Sequence, residues 1–337
     1  MIDILYNLKF KTHLFFRKPE DGFNSIENVF HTLESELAKH CIINKIELPE
    51  QGVNLKSIAR NLKFVRKNRA DVNHITGHVN YIALCSGRHT VLTIHDMISG
   101  FQSHRLKNTF ILIFWFWIPS LLAKRITVIS EYTQDEVKRL IPFAKKKVRL
   151  IGNPISSKFT YHPKVFNSKT PRILCVGTKP NKNLSTIFKA LENIECELII
   201  LGKLHADQIM ELQSYDITYK TFENMSYDEV ITLYIDSDLL CFASTFEGFG
   251  MPIIEAQAIG RPVVTSNIGA MKETAKTSAC LVNPYDYKSI EDGIIEVCNN
   301  ETYRNELIKK GLKNVERFQA SVIAREYMKV YEEVLNS

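Results

Sequence analysis

The sequence predicts an α/β protein made of two doubly wound, Rossmann-like domains that face each other across a cleft. Apolar, β-branched runs alternate with helical patterns from end to end, which is typical of parallel sheets flanked by helices. The 337 residues suggest two domains, and a stretch rich in Pro, Ser, Asn and Lys interrupts the alternation midway. We expect an N-terminal domain over 1–160, a second domain over 161–318, and a helix over 319–337 that packs back on the first domain.

The first half contains four predicted strands with helices between them. The strands are DILYNL (3–8), VNHITG (72–77), HTVLTIHD (89–96) and RITVIS (125–130). In IENVFHTLESELAKH apolar residues recur every three or four positions, which predicts a helix. Ser130 stands where a strand ends, and its hydroxyl can cap the helix that follows.

The second half continues the same alternation and is predicted to form a second parallel sheet. Its helices include NLSTIFKALENI and MSYDEVITLYID, and further helices close the chain. The predicted strands are RILCVG, CELIILG, ITYKTF, DLLCFAS and PVVTS. No short internal repeat is present, so a repeat architecture is not expected.

Composition excludes several classes of protein. The 7 cysteines are scattered and form no C-x-x-C pair, so neither a zinc site nor a disulfide framework is indicated and a reducing cytoplasm fits best. The N-terminus lacks the pattern of a secretion signal. The longest apolar run, Phe110–Leu122, is too short to span a bilayer. Basic residues flank it, which would suit a helix at a membrane surface, although burial within the first domain is the preferred interpretation.

Charge is distributed unevenly along the chain. Residues 1–160 hold 24 Lys and Arg against 13 Asp and Glu, a net charge of +11, whereas the remainder holds 19 against 24, a net charge of −5. A basic first half suggests an anionic partner, such as a membrane face or a phosphate-bearing acceptor. A solvated basic surface explains the charge equally well. No nucleic acid is expected, because no motif that reads nucleic acid is present.

The stretch EGFGMPIIEAQAIG follows a buried strand and opens a short helix. Pro252 suits the first helical position, and Gly260 ends the helix. In an open α/β sheet, ligands gather where strands end and helix N-termini present N–H groups to anions. Gly248 and Gly250 have no Cβ and allow the backbone to approach a ligand closely. This turn is therefore predicted to hold a diphosphate.

Two carboxylates in the same stretch require a different partner. Ionised Glu247 and Glu255 only accept hydrogen bonds, and hydroxyl groups are natural donors to them. A lone Glu255 in a first helical turn would be explained by the helix dipole. Together with the glycines and the preceding strand, the two acids indicate a ligand with sugars on either side of a diphosphate, which is a nucleotide-sugar.

The stretch FEGFGMPIIEAQAIGRPVVTSN resembles the E-x7-E signature of retaining glycosyltransferases of the GT-B fold, in particular family 4, also called glycosyl transferases group 1. The resemblance extends over most of residues 74–335. It implies that Glu247 contacts the donor sugar and Glu255 the ribose. It also implies that sugar and phosphate meet the backbone of Gly248, Phe249, Gly250 and Met251.

A second segment, VGTKPNKNLSTIFKAL, resembles the G-T-x-x-P-R-K-N segment of that family, whose basic pair holds the diphosphate. Lys182 matches the family's lysine, and Asn181 stands where an arginine is usual, which weakens the phosphate clamp unless Lys179 compensates. Lys182 at a helix start is unfavourable unless an anion binds beside it. The predicted donor site also includes Thr178, Gly202 and Phe222.

The first half carries weaker family landmarks. VLTIHD matches a family strand ending in His-Asp, which implies that His95 lies beside the transferred sugar and acts with Lys182 and Glu247 in catalysis. An acceptor-side loop is predicted from Arg17, Lys18, Gly22 and Ser25. Asp236 and Asp238 imitate a D-x-D metal motif, but in the family register they only precede a buried strand. Neither a metal nor a cofactor is therefore expected.

The resemblance implies retaining transfer of a sugar from a UDP-, GDP- or ADP-linked donor to a glycan or glycolipid hydroxyl. A bacterial pathway for surface polysaccharide or lipopolysaccharide is the expected setting, with the protein in the cytoplasm or at the inner membrane face. One alternative is a nucleotide-sugar epimerase of the same fold, and another is a non-catalytic subunit of a partner enzyme. A dehydrogenase is the weakest alternative, since GFGMPI lacks the third glycine of the dinucleotide fingerprint.

Overall fold

The computed structural model describes residues 10–18, 25–52, 54–97 and 109–337. The chain divides into two compact units, Met1–Pro154 with Ala320–Ser337, and Ile155–Gln319. The first unit ends at Pro154 rather than at residue 160. The reason is that Ile155 belongs to the second unit, where its N–H donates to the Phe318 carbonyl at 2.7 Å.

The first unit is built on a six-stranded parallel sheet with the order β2-β1-β3-β4-β5-β6. Three of the predicted strands correspond to β3, β4 and β5, whereas DILYNL lies outside the described residues. The strands β1, β2 and β6 were not predicted, because polar residues interrupt their apolar pattern. The bounds are β1 Lys11–Phe16, β2 Ile42–Glu47, β3 Val72–Ile75, β4 Thr90–Ile94, β5 Arg125–Val128 and β6 Val148–Leu150.

Helices cover both faces of this sheet. They are α1 Ser25–Leu37, α2 Leu55–Lys67, α3 Ala83–Ser86, α4 Ile118–Leu122 and α5 Glu131–Leu140, with 3-10 segments at Asn80–Ile82 and Pro142–Lys147. The predicted cap is confirmed, because the Ser130 hydroxyl accepts the Thr133 N–H at 3.0 Å at the start of α5. The helical run over 109–122 includes a π-helical segment, Leu112–Trp117. The prediction that this run is buried within the first domain is wrong for one of its faces, which is exposed to solvent.

The second unit contains another six-stranded parallel sheet, with the order β12-β11-β10-β7-β8-β9. All five strands predicted in this half are present, and β12 is additional. The order runs outward in both directions from the central pair β7 and β10, so the topological switch point lies between them. The bounds are β7 Arg172–Val176, β8 Glu197–Leu201, β9 Tyr219–Phe222, β10 Leu239–Phe242, β11 Val263–Ser266 and β12 Cys280–Val282.

The helices of the second unit pack on its sheet around one apolar core, which includes Ile173, Phe188, Ile200 and Ile294. Their bounds are α6 Leu184–Leu191, α7 Ala206–Ser214, α8 Tyr227–Asp236, α9 Met251–Ile259, α10 Gly269–Ala275, α11 Tyr287–Asn299 and α12 Glu301–Val315. Within the described ranges, no helix combines the length and the apolar composition that crossing a bilayer requires.

The last helix, α13 Ala320–Leu335, belongs to the first unit. It packs against α1 and buries Tyr327 and Tyr331 beside Phe30. His74 bonds the Tyr331 hydroxyl through Nδ1 at 2.8 Å and the Thr93 hydroxyl through Nε2 at 2.7 Å. The end of the chain is thus tied to the middle of the first sheet by both apolar contact and buried hydrogen bonds.

Candidate functional site

Two loops meet at the carboxyl edge of the second sheet, at its switch point. One follows β7 and the other follows β10, and backbone and side-chain bonds join them. The Thr245 N–H donates to the Asn181 carbonyl at 2.9 Å, and the Asn183 amide donates to the Ala243 carbonyl at 3.0 Å. Ligands of open α/β sheets bind at this position, so the two loops form the candidate site.

Lys182 and Glu247 form an ion pair between these loops. The distance from Lys182 Nζ to Glu247 Oε1 is 2.7 Å, and each side chain is only 16% exposed. The ammonium also lies 4.6 Å from the centroid of the Phe242 ring. Gly177 makes room for the lysine, because a Cβ there would lie 2.7 Å from Lys182 Cε. The site therefore presents a positioned cation beside a positioned carboxylate.

Asn181 orients Glu247. Its amide nitrogen donates to the Phe246 carbonyl at 2.8 Å and to Glu247 Oε1 at 3.2 Å. In the sequence, Asn181 is notable only because it stands where an arginine is usual and so removes a positive charge. The structure gives it a second role, since an uncharged donor here holds the carboxylate without competing with Lys182 for an anionic ligand.

Glu255 lies on α9, near the Lys182 charge. The Tyr234 hydroxyl donates to Glu255 Oε2 at 2.6 Å. Burial raises the pKa of the Glu255 carboxyl to about 7, although the Tyr234 bond and the positive charge of Lys182 act in the opposite direction. Near neutral pH this group is therefore both a hydrogen-bond acceptor and, in part of the molecules, a protonated acid. The contribution of Tyr234 was not predicted, because nothing in its local sequence marks it.

In the turn before α9, a glycine caps the helix and the ring of a phenylalanine enters the core. Gly250 adopts a left-handed conformation with φ of 102° and caps the helix. The ring of Phe249 is buried and contacts the ring of Phe318 edge to face at 5.4 Å, while its carbonyl accepts the Thr274 hydroxyl at 2.7 Å. The Phe249 side chain therefore belongs to the core. Gly248 and Met251, which flank this part of the turn, are half-buried.

The other predicted donor residues lie on the same edge of the sheet. Gly202 directly follows β8, and its N–H donates to the carbonyl of Phe222, the last residue of β9, at 2.8 Å. Thr178 follows β7, and its carbonyl accepts the Gln208 amide at 3.0 Å. Lys179 is exposed in the same loop. The second unit thus brings the whole predicted donor set to one sheet edge.

His95 lies in the first unit, immediately after β4. Its Nε2 donates to the Thr76 carbonyl at 2.7 Å, so Nδ1 carries the lone pair. Burial lowers the pKa of His95 to about 4, and the ring is neutral at physiological pH. Gly77 permits this arrangement, since a Cβ there would lie 2.7 Å from His95 Cδ2. His95 can accept a hydrogen bond but is not poised as an acid.

The predicted acceptor-side residues are only partly described. The Arg17 guanidinium pairs with Glu27 on α1, with 3.0 Å between Nε and Oε1. Lys18 is exposed, and Ser25 begins α1. Gly22 lies outside the described residues. The charge of Arg17 is thus balanced within the chain.

Asp236 and Asp238 lie at the opposite edge of the second sheet from Glu247. Asp238 is buried, accepts the Arg172 N–H at 2.8 Å and pairs with Lys164 at 3.0 Å. Its carboxylate therefore anchors the segment that enters β7. In the part of the chain that the structure describes, no group of three or more His, Cys, Asp or Glu side chains could hold a metal ion.

Two family models match consecutive parts of the chain. The model described as "Glycosyl transferases group 1" matches residues 158–314. The model described as "Glycosyltransferase Family 4" matches residues 13–159. The first match includes both loops of the candidate site, and the second includes His95.

Several curated proteins resemble the chain at low identity. It is 26% identical over 228 residues to "O-antigen chain mannosyltransferase RfbU" of Salmonella typhimurium. This alignment covers 63% of each of the two chains. It is 28% identical over 178 residues to "Phosphatidyl-myo-inositol mannosyltransferase" of Mycobacterium leprae, which covers 50% of this chain and 48% of the relative. The matches span less than two thirds of the length of either relative.

Solved structures share the whole fold. The Anabaena protein Alr3699/HepE, crystallised in complex with UDP and glucose, superposes with a TM-score of 0.74. The alignment covers 96% of this chain and 100% of that one at 14% sequence identity. At this identity the likeness concerns the fold alone.

Proposed function

Because the chain belongs to the glycosyl transferases group 1 family, with the GT-B fold, we propose that it is a retaining glycosyltransferase. It moves a sugar from a nucleotide-diphosphate donor to a hydroxyl group of a glycan or glycolipid. The observation that carries this proposal is the Lys182–Glu247 pair at the switch point of the second sheet, with Glu255 on the following helix. A cation suits the diphosphate, and the two carboxylates suit sugar hydroxyls.

The proposed chemistry breaks the bond between the anomeric carbon and the diphosphate oxygen. Positive charge develops on the sugar and negative charge on the leaving diphosphate, which Lys182 stabilises. When the diphosphate draws Lys182 away, Glu247 becomes available to accept sugar hydroxyls while Asn181 still holds it. The acceptor oxygen bonds to the anomeric carbon on the same face, and its proton passes to the departing phosphate. No side chain acts as a covalent nucleophile.

In this proposal Lys182 supplies the positive charge at the diphosphate, and neither a metal ion nor a cofactor takes part. Glu255 accepts hydrogen bonds from the ribose. Thr178, Lys179 and the backbone of Gly202 and Gly250 line the donor. His95, in the first unit, keeps the catalytic role that the family resemblance implies, since its neutral ring can accept a hydrogen bond from a sugar hydroxyl through Nδ1.

The relatives guide the choice of substrates. Two of them are named for mannosyl transfer in O-antigen chains and to phosphatidyl-myo-inositol, and a structural neighbour holds UDP. We propose a UDP-, GDP- or ADP-linked hexose as donor, with mannose tested first. The acceptor is a glycan or a lipid-linked glycan of surface polysaccharide synthesis, and the reaction takes place in the cytoplasm or at the inner membrane face.

The test is a donor screen with lipid-linked and soluble glycan acceptors, in which release of the nucleoside diphosphate is followed. We expect release that depends on an acceptor, and a product whose anomeric configuration by NMR equals that of the donor. Glu247→Gln should lower kcat about 100-fold or more, because a lost positioning contact misplaces the reacting atoms. The control Glu326→Gln changes an exposed carboxylate on α13 and should retain full activity.

Three results would contradict the proposal in different ways. Conversion of the donor without any acceptor would indicate an epimerase. A product of opposite anomeric configuration would exclude retention. Nucleotide binding without turnover of any donor would favour a non-catalytic subunit.

A further inference from the structure

The helical run over 109–122 has one buried face and one exposed aromatic face. Phe116 and Pro119 are buried, and Trp115 packs against the core of the first unit. Four large apolar side chains, at spacings of four, three and four residues, are exposed to solvent: Phe110 (60% exposed), Phe114 (47%), Trp117 (37%) and Leu121 (57%). Leu122, next to the last of them, is also exposed (44%).

A neighbouring turn extends this surface. Phe143, in the 3-10 segment Pro142–Lys147, is exposed and contacts the ring of Trp117 edge to face at 5.6 Å. Phe110 and Phe114 contact each other at 4.4 Å. We refer to Phe110, Phe114, Trp117, Leu121 and Phe143 as the aromatic face. Solvent exposure of so much apolar surface indicates a partner.

Lysines accompany the aromatic face. Lys145 and Lys146 are exposed in the same turn as Phe143. Lys147 instead donates to the carbonyls of Ser120, Leu121 and Ala123 at 2.8 to 3.0 Å, and so fixes the end of α4 against the turn. Carboxylates pair with other basic groups of this part of the chain: Asp135 with Lys138, Glu136 with Arg139, and Glu333 with both Arg125 and Arg149. The positive charge that accompanies the aromatic face is therefore that of Lys145 and Lys146 in the turn beside it.

We propose that the aromatic face docks the first unit on a bilayer that contains anionic phospholipids. Exposed Phe, Trp and Leu with Lys beside them match the composition of segments that lie in the membrane interface. The rings enter the headgroup region, and Lys145 and Lys146 contact lipid phosphates. A water-soluble partner would need a concave surface that is both acidic and apolar. An anionic bilayer offers apolar and negatively charged groups together.

The aromatic face is coupled to the carboxyl edge of the first sheet. The Trp115 indole N–H donates to the His78 carbonyl at 3.1 Å, and the Asn80 amide donates to the Trp115 carbonyl at 2.9 Å. His78 and Asn80 follow β3, and they lie at the same edge of the sheet as His95, which follows β4. Docking therefore places the bilayer close to that edge and favours a lipid-borne acceptor. This last step rests on the proposed function, whereas the docking itself does not.

The test is sedimentation of the whole protein with vesicles of phosphatidylcholine alone, or of phosphatidylcholine with phosphatidylglycerol. We expect binding to the anionic vesicles only, and weaker binding as salt increases. The double variants Phe110→Ser/Phe114→Ser and Lys145→Ser/Lys146→Ser should each lower the partition coefficient about tenfold or more. Met210→Ser, which changes an exposed apolar residue of the second unit, should bind as the wild type does.

The melting temperature of each variant confirms folding, and calorimetry with UDP, GDP and ADP reports the donor site separately. Absence of wild-type binding to anionic vesicles would overturn the proposal, as would unchanged binding of both double variants. A concentration-dependent dimer that Phe110→Ser/Phe114→Ser abolishes would assign the aromatic face to a second copy of the chain. Failure of docking with intact nucleotide binding would leave the proposed function standing.

Discussion

Glu255 titrates in the range where the protein is expected to work. Burial raises the pKa of its carboxyl to about 7, while Tyr234 and Lys182 favour the ionised form. Hydroxyl groups of a ribose donate to the ionised carboxylate, and the protonated group has less capacity to accept them. A ligand of this kind therefore binds the ionised form more tightly, and its binding shifts Glu255 towards release of a proton.

We predict that nucleoside diphosphate binding weakens as pH falls through 7. A group that binds ligand only when ionised loses up to about tenfold in affinity between about pH 8 and about pH 6. Titration calorimetry over this range measures the effect. Glu255→Gln should remove this contribution and keep the part caused by the phosphate of the ligand. Equal pH profiles for the two proteins would contradict the role of Glu255.

For single residues of the candidate site, the sequence identified the charged groups but not the side chains that form hydrogen bonds with them. Lys182, Glu247 and Glu255 stand out because their residue types at strand ends suggest a ligand. Tyr234 and the amide of Asn181 reach those acids across the fold, from positions 21 and 66 residues away. Local sequence carries no signal for such contacts, so their roles appear only with the tertiary structure.

Among the elements, α13 is fastened to the first sheet in two ways. Inside, the Tyr331 hydroxyl bonds the buried ring of His74, whose pKa burial lowers to about 3 so that the ring stays neutral. At the surface, Arg125 and Arg149 both pair with Glu333, at 2.7 and 2.8 Å. Because these surface groups are partly exposed, the buried bond should contribute more to stability.

Tyr331→Phe should lower the free energy of unfolding by about 1 to 3 kcal/mol, because it leaves His74 Nδ1 buried without its partner. Chemical denaturation followed by circular dichroism measures the change. Lys329→Ala, on the same helix, breaks an exposed pair with Glu326 and should cost at most about 0.5 kcal/mol. Equal effects of the two substitutions would argue against the buried bond.

Elements with continuous apolar runs were predictable, and those with buried polar residues were not. The strands β7, β8 and β10 are built around buried apolar residues and all appear. The strand β9, YKTF, is also present, although it contains Lys and Thr. In β1, KTHLFF, the buried side chains include Thr12 and His13. His13 bonds the Asn68 carbonyl at 2.7 Å and the Asn44 amide at 3.2 Å, partners that the sequence does not reveal. The run over 109–122 has no polar face, so its pattern gave no sign of which side is exposed.

The whole molecule consists of two α/β units, each with its own six-stranded parallel sheet and core. This fold class followed from the alternation of strands and helices. The boundary was misplaced by a few residues, because Ile155 bonds a residue distant in sequence. The two halves also differ in charge, and the proposed donor groups Lys182, Glu247 and Glu255 all lie in the second unit. A nucleoside diphosphate should therefore bind through that unit.

The most direct measurement is titration calorimetry of UDP, GDP and ADP against the wild type, Lys182→Met and the control Lys288→Met. Lys288 is an exposed lysine paired with Glu291, so it matches Lys182 in charge but lies outside the site. We predict that one nucleotide binds the wild type and the control equally, and Lys182→Met at least about tenfold more weakly, because a charge-assisted bond is lost. Absence of wild-type binding, or equal binding by Lys182→Met, would contradict the donor site.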